Sequence, residues 1–294
     1  MNLNRGNRLG KAAAHVFLIG FILLITLPLL TIISISFRAG DYAVGELIPS
    51  HPSLEHWRFV LGIDQYDAAG HLVQKGGMVL TWFWNSIVVA TTSSVLILLL
   101  SGTCAYAFAR LRFAARERIL TGLLILQMFP GVLALVAFYA ILDFIGRYIP
   151  AFGLDTHAGL VLVYLGGIAI HIWMIKGYFE TIPVSIEQAA IIDGASQFQT
   201  FIRILLPMSM PIFAVVFILS FIGIMSEYPL ASIILQKADN WTLAVGANSF
   251  LSEQNYQWGE FAATAVLSGV PITMVFLVSQ KFLISGLTAG GVKE

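Results

Sequence analysis

Charge is scarce in this sequence. Only 11% of its 294 residues are Asp, Glu, Lys or Arg, and 58% are hydrophobic, where a soluble domain carries about 25% charged and about 45–50% apolar residues. That balance excludes a soluble domain with a water-facing polar shell. Sixteen basic residues match sixteen acidic ones, so bulk charge gives no pull toward nucleic acid, and only the placement of charges carries information. A single cysteine, Cys104, excludes an internal disulfide; it lies in an apolar run and reads as a small packing residue. The six histidines (His15, His51, His56, His71, His157 and His171) are scattered without metal-ligand spacing, and no Ser/His/Asp constellation appears. A nucleotide-binding loop is missing as well. The nearest approach to G-x-x-x-x-G-K-[ST] is "GNRLGKA", which has three residues between Gly6 and Gly10 and an alanine after Lys11; a phosphate cradle needs the longer loop and the Mg²⁺-binding hydroxyl. The chain therefore reads as a non-enzyme with no cofactor or metal of its own.

What is present is apolar length. Crossing the hydrocarbon core takes about 20 mainly apolar residues in a helix, because backbone amides find no water there. Six stretches qualify, at 12–36, 80–109, 119–145, 159–175, 204–226 and 261–284. Pro28, Pro130, Pro207, Pro211 and Pro271 lie within or beside them, where they predict kinks packed against neighbouring helices. The first run follows Arg5, Arg8 and Lys11 but is longer than a signal peptide's apolar core and has no small-residue cleavage site, so it reads as a retained span. Eleven Lys and Arg fall on the side of the two termini and of the link "RLRFAARER", against five on the other side. By the positive-inside rule both termini face the cytoplasm.

One segment does not fit a plain bundle of spans: "EQAAIIDGASQFQTFIRILLP", residues 187–207. Pro183 suits a helix start and Gly194 a left-handed helix end. Ser196 and Gln199 fit a capping box that opens a second helix, with Phe198, Phe201, Ile202 and Leu205 expected on one face. The first helix, with Ile186, Ala189 and Ala190 as its apolar positions, is too short to stand alone in water. It needs a surface to hold it: the bilayer, the chain's own spans, or a groove on a soluble partner.

These residues resemble the "EAA" loop of permease subunits of bacterial ABC importers, whose pattern is Glu-Ala-Ala, three residues, Gly, nine residues, Ile, one residue, Leu-Pro. Gln188, Ala189, Ala190, Gly194, Ile204, Leu206 and Pro207 fall at that spacing, with Asp193 before the glycine. Gln188 stands where the motif has glutamate, and Glu187 is one residue earlier. The stretches "TCAYAFARLRF", "LQMFPGVLALVAFYAI", "YLGGIAIHIWMIKGYFETI", "TLAVG" and "GLTAGGVK" extend the resemblance to the smaller permeases of maltose/maltodextrin-type importers. It implies an all-α membrane protein with six transmembrane helices of the type I importer permease architecture, occupying 1–294 as one domain. Residues 181–203 would be the cytoplasmic coupling loop, with its helix at 183–194, and 285–294 a cytoplasmic tail.

The same resemblance implies the partners and the site. They are a larger permease, an ATPase homodimer that binds ATP and Mg²⁺, a periplasmic or extracellular sugar-binding protein, the sugar and membrane lipid; nucleic acid is not among them. The coupling contact to the ATPase falls to Glu187 with the motif residues, and a tail contact to Gly290, Gly291, Val292 and Lys293. The delivery protein would meet Asn240, Trp241 and Tyr256 in the second long outer loop. The location is the bacterial inner membrane, multi-pass, and the activity uptake of maltodextrin-type sugars, or of another sugar of that importer class.

Polar groups inside the runs, among them Asn85, Ser86, Ser93, Ser94, Gln127 and Ser220, are expected mostly to pack or bond back to carbonyls, and none is assigned to sugar. His171 is read as an interhelical hydrogen-bonding residue. An ion-coupled transporter would need acids deep in the spans, but Asp143 and Glu227 lie near span ends. A channel subunit would have no use for the coupling spacing.

Overall fold

The computed structural model describes the backbone of residues 3–67, 69–252 and 255–290. Its order is helix α1 (Leu3–Ser36), α2 (Glu55–Val60), a hairpin of β1 (Gln65–Tyr66) and β2 (Leu72–Gln74), then α3 (Val79–Arg110), α4 (Arg116–Gln127), α5 (Leu135–Tyr148), α6 (His157–Tyr164) and α7 (Ala169–Thr181). There follow α8 (Val184–Ile192), α9 (Gln197–Thr200), α10 (Leu206–Met208), α11 (Met210–Met225), α12 (Pro229–Ile234), α13 (Leu243–Ser249), a hairpin of β3 (Leu251–Ser252) and β4 (Asn255–Tyr256), and α14 (Trp258–Gly290). The described residues are thus mostly helical. Among the described residues, four helical stretches are long and apolar enough to cross a membrane, or six if each of two bent pairs counts as one span.

The chain forms two compact units. The first holds Met1–Leu80 and Ala247–Leu267, the second Thr81–Gly246 and Ser268–Glu294. In the first, most of the apolar length of α1 between Val16 and Ile33 is exposed, as a lipid- or partner-facing helix must be. Its far end is tied down: Arg38 is buried and donates to the Glu46 carbonyl at 2.7 Å and to Ser34 Oγ at 3.3 Å.

In the second unit, one buried cluster joins Ile97, Ala105 and Phe108 of α3 to Leu120, to Ile172, Ile175 and Phe179 of α7, and to Phe201, Leu205 and Val216. Another joins Val89 and Leu142 to Leu160, Val161 and Val163 of α6, with Ala231, Ile234 and Val245. Burying such side chains contributes about 1.5–3 kcal/mol each in water, but between spans the gain comes from close packing, because lipid is as apolar as leucine.

Three apolar runs are broken, two of them beside prolines that predict kinks. The 119–145 run divides at Met128–Pro130 into α4 and α5. α6 and α7 meet at 51°, after Gly166 and Gly167. The side chain of Gln127 answers this second break: its Oε1 accepts from the Ile170 amide at 2.8 Å and its Nε2 donates to the Gly167 carbonyl at 3.4 Å. It satisfies backbone groups that the interrupted ladder leaves open. The third break turns the chain by 74° around Ser209. Pro207 and Pro211 flank it, and each withholds an amide from consecutive turns. Pro28 and Pro271, by contrast, lie inside continuous helices. At the C-terminal end, where the glycines predict a flexible tail from residue 285, α14 continues helical to Gly290.

Candidate functional site: the loop between α7 and α11

The backbone of residues 183–200 follows the local chemistry of its sequence. Pro183 stands at the cap position before α8. After Asp193, Gly194 adopts φ +93°, the Gly194 amide donates to the Ile191 carbonyl at 3.0 Å, and the Ala195 amide donates to the Ala190 carbonyl at 2.9 Å. This pair of bonds is a Schellman ending, which requires the left-handed residue that glycine supplies without strain. Two residues on, the Gln199 amide donates to Ser196 Oγ at 3.2 Å and the Ser196 amide to Gln199 Oε1 at 2.9 Å. The capping box forms as its spacing predicts, and the segment is helix, turn, helix.

The faces divide differently from expectation. A π-helical turn covers Phe201–Leu205, and across the junction Phe198 does not share a side with Phe201, three positions on. Phe201 and Leu205 are buried, whereas Phe198 and Ile202 are exposed. Phe201 lies against Tyr106 with ring centroids 4.8 Å apart and edge-on to Phe179 at 6.5 Å, which fastens the second helix to α3 and α7. In α8, the side turned inward carries Glu187 and, half-buried, Ala190. Ile186 and Ala189 face out.

Glu187 is the seat of the loop. It is only 5% exposed, and its Oε1 lies 2.5 Å from Arg110 Nε at the end of α3. The guanidinium also donates through Nη2 to the carbonyls of Phe179 and Ile182, at 2.8 and 3.0 Å, so it caps the end of α7 as well. A buried charge is held only where its partners are complete; here one arginine joins α3, α7 and α8. Nearby, Glu180 receives Lys176 at 2.6 Å and Arg116 at 3.6 Å. With Glu187 turned in, Val184, Ile191, Ile192 and Phe198 are left in the open, Ile192 at 85% and Phe198 at 73% exposure. Gln188, Asp193 and Gly194 are exposed beside them; Ile204 and Leu206 are half-buried and Pro207 exposed where the chain enters the 74° bend. An exposed apolar patch with a polar rim is a candidate contact surface for a protein partner or for the bilayer.

Residues 97–288 match the family model described as binding-protein-dependent transport system inner membrane component. The chain belongs to this family. The matched part runs from within α3 into α14 and contains the whole loop. Curated relatives of the family include the maltose/maltodextrin transport system permease protein MalG of Vibrio vulnificus, 57% identical over 96% of this chain and 95% of its own, and that of Escherichia coli K12, 53% identical over 95% and 94%. Among solved structures, a bacterial ABC transporter involved in import of the acidic polysaccharide alginate has the same fold, with TM-score 0.73 at 23% identity over 94% of this chain and 97% of its own. The family's inner-membrane setting agrees with the several apolar helices.

The other sequence-derived sites fare unevenly. Asn240 and Trp241 are half-buried and turned into their own unit: Trp241 packs on Trp82 at 5.7 Å, its carbonyl accepts from Asn85 Nδ2 at 3.0 Å, and Asn240 Nδ2 donates to the Asp155 carbonyl at 2.8 Å. Tyr256 belongs to the first unit, exposed and stacked on Trp258. The side chains open to solvent beside Trp241 are Gln236, Lys237 and Asp239. Gly290 ends α14, and Gly291, Val292 and Lys293 lie outside the described residues.

His171 does make an interhelical contact, to Ser220 Oγ at 3.2 Å. Glu227 accepts from the amides of Leu230 and Ala231 at 2.7 and 3.0 Å and from Tyr164 at 2.7 Å, the work of a helix cap. Arg110 is the residue that sequence reasoning missed: it counted only toward orientation, and its sole signal was an acid displaced by one position from the motif.

Proposed function

We propose that this chain is the smaller membrane-spanning permease of a binding-protein-dependent ABC importer for maltose and maltodextrins. It is a transport subunit, not an enzyme. The observation that carries the reading is the α8 loop, locked inward by Glu187 on Arg110 and presenting bare apolar side chains outward, in a chain 53–57% identical to maltose/maltodextrin permeases. Its partners are a larger permease, a homodimeric ATPase that holds ATP and Mg²⁺, and an extracytoplasmic sugar-binding protein. Both termini and the α8 loop face the cytoplasm, in keeping with the count of basic residues.

Coupling is mechanical in this reading. A short rigid helix seated in the ATPase carries the closing of that dimer to α3 and α7 through Arg110, and the spans alternate access to a central path as rigid bodies. Gln188, Ala189, Ala190, Asp193 and Gly194 would lie at the ATPase surface, Ile204, Leu206 and Pro207 at the joint, and Gly290 to Lys293 near the ATPase. The delivery protein would meet the 236–241 loop and Tyr256. Uptake of labelled maltodextrins into vesicles carrying all subunits, with this chain present or omitted, tests the assignment. Uptake that persists without it rejects the transport role, and uptake of a different sugar alone rejects the substrate.

A further inference from the structure

In the first unit, three groups converge that the transport reading does not use. His56 of α2 and Glu260 in the first turn of α14 are 2% and 4% exposed. His56 Nδ1 lies 3.3 Å from Glu260 Oε2, and His56 Nε2 lies 3.5 Å from Glu55 Oε1. Neither ring nitrogen has hydrogen-bond geometry to any partner among the described residues, nor does Glu260 Oε2. Asp41, on the loop after α1, is exposed and held by the Gly259 amide, which donates to its Oδ1 at 3.2 Å. One ligand atom from each of Asp41, His56 and Glu260 lies within 4.8 Å of the other two.

Buried polar atoms without partners cost roughly 1–3 kcal/mol each, and two carboxylates facing one another add repulsion. Gly259 belongs to the arrangement, because a Cβ there would collide with the imidazole ring. Either protons or one cation can resolve such a cluster. An imidazole nitrogen with two carboxylate oxygens is a donor set for zinc-class divalent metals rather than for Ca²⁺ or Mg²⁺, which take oxygen alone. The exposed side at Asp41 leaves room for a water as the fourth ligand.

We propose that Asp41, His56 and Glu260 bind a zinc-class divalent cation that staples α2 and the 37–54 loop to the first turn of α14. The bound metal removes the carboxylate repulsion and fixes three segments that contribute few backbone bonds to one another.

The test uses the full importer complex, purified without a polyhistidine tag, stripped with a chelator and titrated with ZnCl₂. Wild type should retain one zinc per copy of this chain by elemental analysis and show an upward shift in melting temperature. Asp41→Asn keeps an oxygen for the Gly259 amide, and its exposed position spares the fold; it should weaken zinc binding at least about tenfold. His56→Gln should abolish binding, and if that variant fails to assemble, Asp41→Asn decides alone. No zinc above background in wild type overturns the proposal in favour of a cluster resolved by protons. Equal zinc in wild type and Asp41→Asn overturns it in favour of binding elsewhere, and CaCl₂ replacing ZnCl₂ with equal effect overturns the zinc class.

Discussion

Arg110 and Glu187, 77 positions apart in sequence, meet at 2.5 Å with side chains 9% and 7% exposed. The contact fastens a loop whose outer face carries exposed apolar side chains and which is also held by the packing of Ile182, Phe201 and Leu205. Removing one member of a buried pair leaves an uncompensated charge, which costs roughly 3–5 kcal/mol. Glu187→Ala should therefore lower the melting temperature of the assembled importer and cut sugar uptake per ATP hydrolysed. Thermal unfolding together with the uptake-to-hydrolysis ratio checks this; a variant equal to wild type in both would mean the pair is not the seat.

Gly194 supplies the second constraint, and it is conformational rather than steric. Nothing lies within 4 Å of a Cβ built there, yet φ is +93°. A β-branched side chain in that region costs on the order of 1–3 kcal/mol, whereas asparagine tolerates it better. Gly194→Val should leave the subunit in the membrane but uncouple hydrolysis from uptake, and Gly194→Asn should restore most of the coupling. If both variants fail alike, crowding by the partner rather than backbone strain explains the glycine.

Much of this loop is legible in the sequence because its signals are local. Pro183, Gly194 and the Ser196–Gln199 pair each act over a few residues: Pro183 stands at the start of α8, Gly194 takes the left-handed turn, and the pair forms its capping box. The partition of the second helix was not legible: the π turn at Phe201–Leu205 separates Phe198 from Phe201, and only packing against Tyr106 and Phe179 selects it. Arg110 was hidden for the same reason, since its partners are 69 to 77 residues away. The breaks at Gly167 and Ser209 interrupt runs whose hydropathy is unbroken. Hydropathy registers solvent, and a bend depends on which side chain, here Gln127, is placed to satisfy the opened backbone. That Asn240 and Trp241 also anchor their own loop, on Asp155 and Trp82, was not legible, because those partners lie far away in the sequence.

The exposed apolar side chains predict a loss of assembly without a loss of folding. Ile192, at 85% exposure, makes few contacts within its own chain, so Ile192→Glu should change subunit stability by no more than about 0.5 kcal/mol. Buried in an ATPase groove, the same charge would go without a partner and weaken docking strongly. Copurification of the ATPase at fixed permease yield measures this; full ATPase recovery with Ile192→Glu would place the docking surface elsewhere. Phe198→Glu should act in the same direction through the neighbouring patch.

Asp155 organises the loop that carries Asn240 and Trp241, and it predicts a dependence on pH. Its Oδ1 accepts the amides of Gln236 and Lys237 at 3.1 and 3.0 Å, and Lys237 Nζ reaches Oδ2 at 3.2 Å. Burial pulls this carboxyl upward, but those bonds outweigh it and hold the group below its ordinary value of 3.8. A carboxyl depressed on folding contributes stability that is present above its unfolded value and lost as pH falls through the folded one. Protection of the Gln236 and Lys237 amides should therefore be flat at neutral pH and fall once pH drops below about 4. Hydrogen bonds to a charged group are worth about 1.5–3 kcal/mol, so the fall should be tenfold or more after correction for intrinsic exchange. Asp155→Asn should show the lower protection at every pH with no step. A step of equal size in that variant would assign the titration to a different group, and protection unchanged by the substitution would remove Asp155 from the loop's support.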